Sequence, residues 1–80
     1  MQIDLSRGDW GYNNRPPREH VESVLRSLPV VSARASGPTL EIVFSRPLTA
    51  SEAWRLRSAL NPDLPDEIGD RQTKITLWWD

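Results

Sequence analysis

Leu48-Thr49-Ala50-Ser51-Glu52-Ala53-Trp54-Arg55-Leu56-Arg57-Ser58-Ala59-Leu60-Asn61 is the stretch around which the chain is organised. Thr49 and Glu52 have the T-x-x-E spacing of a capping box. The threonine hydroxyl accepts from the Glu52 N–H and the glutamate reaches back to the Thr49 N–H. Leu48 and Ala53 occupy the two staple positions. Ala53, Leu56 and Leu60 then recur at i, i+3 and i+7, which gives a helix with one apolar face. Asn61 followed by Pro62 ends it, because a residue before proline is driven out of the α region. Trp54 lies off this stripe, on a shoulder shared with Arg57 and Asn61 at ~100° per residue. Two readings of Trp54 follow: a ring laid over the margin of the core, or an exposed Trp–Arg pair of the kind that dominates binding hot spots.

Working outward, the chain of 80 residues is predicted to be one small domain, residues 1–80, with a single core. It has no Cys, so a disulfide framework or a thiolate metal site is excluded. No apolar run approaches membrane-spanning length. The first residues alternate polar and apolar and do not read as a secretory signal, so a cytoplasmic location is expected. Eleven acidic and ten basic residues give a net charge of −1, which provides no global attraction to nucleic acid. Nine of the bases are Arg and one, Lys74, is Lys. The seven prolines fall between or at the ends of the predicted elements.

Met1-Gln2-Ile3-Asp4-Leu5 alternates, with Met1, Ile3 and Leu5 on one face, and predicts a half-buried strand. Ser6 to Pro17 is a loop of twelve residues carrying Trp10, Tyr12, Arg7 and Arg15. A loop of that length in a compact domain is often functional. Aromatics beside Arg are paratope-like, but the rings would equally serve as a lid folded back over the core. Pro17 to Leu28 is predicted as a helix. Pro17 is at its first position, Val21, Val24, Leu25 and Leu28 are inside, and a Glu22–Arg26 pair is outside. Val30 to Ser36 and Thr39 to Ser45 flank Gly37-Pro38 and read as a hairpin. In the first of these strands Val31, Ala33 and Ala35 are expected to face inward. Its small side chains suit an edge position that Arg34 would guard. In the second, Leu40, Ile42 and Phe44 face in. Asn61 to Arg71 is a second long loop, bearing Asp63, Asp66, Glu67 and Asp70. Thr73 to Trp79 is a closing strand with Ile75, Leu77 and Trp79 on one face and Lys74, Thr76 and Trp78 on the other.

The resulting order, β-α-β-β-α-β, predicts an α+β protein and resembles the ferredoxin-like superfold, the α/β-plait. That resemblance spans the whole chain and is architectural. It implies a four-stranded antiparallel sheet of order 4-1-3-2 with both helices on one face. On its open face Asp4 and Glu41 would occupy the central strands where RNA-binding members carry stacking aromatics, which argues against that mode of binding. The loop after the first strand lacks the phosphate-cradle pattern of the acylphosphatases that share this architecture.

The single His, His20, has no nucleophile motif near it and reads as a solvated helix residue. The four acids of the second loop do not have calcium-loop spacing and read as a solvated acidic surface. With no catalytic set, metal site or cofactor motif, the sequence points to a non-enzymatic protein-binding module. It would be an inhibitor, an adaptor or an assembly subunit, a class that includes the small inhibitors phages encode. The expected partner is another protein, met through Trp10, Tyr12, Arg15, Trp54, Arg57 and Trp78. Trp78 or an edge strand would also serve self-association as a homodimer. The alternative is nucleic-acid binding through Arg7, Arg15 and Arg18.

Overall fold

A computed structural model describes residues 1–11, 15–61 and 73–79. The elements run β1 (Gln2–Asp4), α1 (Arg18–Arg26), β2 (Val30–Ser36), β3 (Thr39–Phe44), α2 (Ala50–Leu60) and β4 (Lys74–Trp78). They form an α+β fold with a four-stranded mixed sheet in the order β1-β2-β3-β4.

The capping box sets the start of α2. The Thr49 hydroxyl accepts from the Glu52 N–H at 3.1 Å, and the Glu52 carboxylate accepts from the Thr49 N–H at 2.9 Å. Arg46 closes on the same carboxylate with both arms of its guanidinium, at 2.7 and 2.9 Å. Such forked, charge-assisted pairing is the strongest ion-pair geometry available to these side chains. Ala53, Leu56 and Leu60 are buried, as is Leu48 at the staple position. Asn61 ends the helix in the left-handed region, at φ 48°. Helix α1 starts after Pro17, which is the extended residue preceding the first turn and not its first helical position. Val21, Val24 and Leu25 are buried, and the Ser27 hydroxyl donates back to the Val24 carbonyl oxygen.

The sheet differs from the expected antiparallel arrangement in two ways. β1 pairs parallel with β2, Ile3 opposite Ala33, and it lies at the edge, not between β3 and β4. β4 pairs antiparallel with β3 even though a helix intervenes. The second difference follows from chain length. A split βαβ unit needs a short link after its helix, so that the next strand runs parallel to the first. Here thirteen residues separate α2 from β4, enough to span ~40 Å when extended. β4 itself needs only ~17 Å. The chain can therefore return along the strand, and α2 ends beside the finish of β4: Trp79 Nε1 donates to the Leu60 carbonyl oxygen at 2.8 Å. The first difference follows from content. β1 has three residues and a single inward side chain, Ile3, itself only half-buried, so it brings too little to the core for a central position. Asp4 thus stands on an edge strand, and β2, with its small side chains, is central.

Register gives two inner rows, Ala33–Ile42–Ile75 and Ala35–Leu40–Leu77, that form the sheet half of the core. A bulge between Val30 and Ser32 shifts the phase of β2. Val30 turns inward and Val31, expected inside, is 47% exposed. At Gly37 φ is +55°, the left-handed conformation that a tight hairpin turn asks of glycine.

The Arg46 fork, then the Thr49 N–H, hold the Glu52 carboxyl at about 2, below its ordinary 4.5. A depressed carboxyl contributes stability that is complete above the ordinary value and is lost as pH falls toward the depressed one. Urea midpoints followed by circular dichroism are therefore expected to drop between about 4.5 and about 2. Glu52→Gln should flatten that part of the curve. An unchanged curve would mean that the pair adds nothing to the folded state.

Candidate functional site

The loop after β1 is anchored before it reaches its aromatics. The Asp4 carboxylate accepts from the Ser6 hydroxyl at 2.6 Å and the Ser6 N–H at 3.1 Å, and these bonds lower its pKa. Residues 7–9 then run beside the hairpin turn. Gly37 N–H donates to the Arg7 carbonyl oxygen at 2.8 Å, and Asp9 N–H donates to that of Gly37 at 3.1 Å. This places Trp10 at the end of the sheet. Its indole N–H donates to the Leu5 carbonyl oxygen at 2.7 Å. Its ring meets Trp79 edge-on, with centroids 5.8 Å apart and planes at 76°, the arrangement favoured by aromatic quadrupoles. A Cβ at Gly8 would lie 2.5 Å from the Trp10 ring, so glycine is required there. Arg15 lies close by, its side chain 12% exposed and its Nη1 3.5 Å from Asp9. Tyr12 lies outside the described residues, as do Asp63, Asp66, Glu67 and Asp70.

The other aromatic positions face outward. Trp54 is 67% exposed on α2. Arg57 is half-buried one turn further on, and Arg55 turns to the other helix, donating to the Ser27 carbonyl oxygen at 3.1 Å. His20, on the exposed side of α1, donates through Nε2 to the Ala59 carbonyl oxygen at 2.9 Å, so it ties the two helices together. Trp78 is 38% exposed on the open face of the sheet. Trp10 and Arg15 are thus brought together at one end of the fold. Trp54 and Arg57 lie on the α2 shoulder, and Trp78 is on the opposite sheet face.

That open face is a charged lattice. Register aligns Asp4, Arg34, Glu41 and Thr76 in one row, and Lys74 approaches Glu41 diagonally at 3.7 Å. A shallow concavity of about 670 Å³ over β1 and β2 is bordered by Gln2, Asp4, Ser32, Arg34 and Glu41. It holds no histidine and no activated nucleophile. Among the described residues no three His, Asp or Glu side chains are grouped as a metal would need. No described helix is long and apolar enough to cross a membrane.

Comparison with known proteins finds no matching protein family, no matching characterised protein and no matching solved structure.

The two loop-and-helix aromatics make opposite predictions for stability. Trp10→Ala removes a half-buried ring and its hydrogen bond and is expected to cost about 2–3 kcal/mol. Trp54→Ala should stay within about 0.5 kcal/mol of the unsubstituted chain. Urea unfolding separates the two; equal costs would contradict the burial described here.

Proposed function

We propose that this chain is a small non-enzymatic protein-binding module whose contact surface is centred on Trp54 of α2. One observation carries the reading. In a domain that buries Trp79 to 1% and folds Trp10 onto it, the Trp54 indole is left two-thirds exposed on a helix held at both ends. The helix is fixed by the Arg46–Glu52–Thr49 cap at its start and by the Trp79–Leu60 bond at its finish. A large ring on a rigid element loses little conformational freedom on binding, which is why Trp dominates hot spots.

Charge indicates the kind of partner. Glu52, the one acid of α2, is neutralised by Arg46, while Arg55, next to Trp54, bonds the uncharged Ser27 carbonyl oxygen and keeps its charge. An apolar cleft with an acidic rim fits this surface. The nucleic-acid reading through Arg7, Arg15 and Arg18 has less support, because Arg15 already faces the Asp9 carboxylate within the fold.

Affinity capture from a lysate of the source organism, with and without nuclease, tests the proposal. A stoichiometric protein that survives nuclease and is lost with Trp54→Ala is the expected result. The loss should correspond to a weakening of about thirtyfold or more, the scale of a hot-spot tryptophan. Capture that is undiminished by Trp54→Ala, or that disappears on nuclease treatment, would overturn it.

A further inference from the structure

The outer edge of β4 has a backbone pattern that pairs with itself. Phe44 N–H donates to the Thr73 carbonyl oxygen at 2.7 Å, and Trp79 N–H donates to that of Pro38 at 3.0 Å. Since Ile42 faces Ile75 and Leu40 faces Leu77, the odd-numbered positions of β4 carry the ladder to β3. Antiparallel pairing alternates strictly. Lys74, Thr76 and Trp78 therefore point their N–H and C=O groups outward, and among the described residues no strand meets them.

We propose that this edge is a self-recognition site, at which a second copy of the chain pairs antiparallel about a two-fold axis through Thr76. The register is complementary at every position. Thr76 faces Thr76 of the second copy. Lys74 faces Trp78 of the second copy on the open face, so its exposed ammonium, 3.7 Å from Glu41 within one copy, turns from that carboxylate to an indole ring twice per dimer. On the inner face Ile75 comes opposite Leu77 and continues the apolar row. All three outward-pointing residues fall in hydrogen-bonded pairs, so the ladder forms six bonds across the axis. The two four-stranded sheets become one of eight. β1, the opposite edge, offers only three residues, and its Asp4 carboxylate is already engaged by Ser6. A strand from an unrelated protein would lack the Lys74–Trp78 reciprocity. The β4 site is on a different element from Trp54 and stands whether or not the Trp54 surface binds a partner.

A five-residue edge makes a small interface, so trapping is the sensitive test. The chain has no Cys, and Thr76→Cys introduces a single thiol. In the proposed register the two Cα atoms at position 76 lie ~5.5 Å apart, within disulfide range. Under mild oxidation Thr76→Cys is expected to become a covalent dimer, while Gln2→Cys on the β1 edge stays monomeric. Adding Trp78→Ala to Thr76→Cys should slow the coupling about tenfold, the effect of two lost cation–aromatic contacts. Unsubstituted protein should show a dimer fraction in sedimentation that rises with concentration. Coupling of Thr76→Cys no faster than that of Gln2→Cys, or an unsubstituted chain that remains monomeric at every concentration, would overturn the proposal.

Discussion

The hydrogen bond from Trp79 to the Leu60 carbonyl oxygen is the constraint on which the fold depends. A buried indole N–H must find an acceptor or destabilise the folded state. The last turn of a helix offers carbonyl oxygens that no intrahelical donor reaches. The bond satisfies both at once, and it fixes the finish of β4 beside the finish of α2. The same ring receives Trp10 edge-on, and Trp10 in turn donates to Leu5 just past β1. Three parts of the chain, distant in sequence, thus converge on one side chain that is 1% exposed.

The elements themselves were legible in the sequence because their signals are local. The Thr49–Glu52 box, the Val21–Val24–Leu25 spacing, the Gly37 turn and the alternation of Ile75, Leu77 and Trp79 each depend on a few neighbouring residues, and each matches the structure. Strand order was not legible, since it depends on how far a connection reaches. The β-α-β-β-α-β order is compatible with a split arrangement and with the sequential one observed. The length of the link between α2 and β4, together with the brevity and polarity of β1, favours the second. On β2 the inward reading holds for Ala33 and Ala35 and fails at Val31, for a different reason. A bulge reverses the alternation, and Val30 and Val31 are interchangeable to a reading that counts only apolar residues.

The aromatic residues show the same division. That a tryptophan either covers the core or offers an apolar contact follows from its chemistry, but which of the four rings is covered is a tertiary matter. Gly8, two residues before Trp10, was the available signal. A residue without a side chain beside an aromatic leaves room for the ring to lie back against its own backbone. For Trp54 the signal was its offset from the Ala53–Leu56–Leu60 stripe, and the structure carries that offset through to solvent. Arg15 gave no such sign, because its pairing with Asp9, six positions earlier, has no spacing that a sequence announces.

The sheet is also uneven in how far its pairings reach along the chain. β2 and β3 meet across a two-residue turn, whereas Ile3 meets Ala33 thirty positions away. Closing the longer loop costs more chain entropy, and the return is a ladder of only three residues with the Gly8–Gly37 bridge beyond it. The hairpin is the one local pairing of the described sheet, since β3 and β4 also meet over a long separation, Ile42 opposite Ile75. The loop that follows β1 carries Trp10 onto Trp79, so the most briefly paired strand of the sheet also holds the cover of the aromatic corner in place.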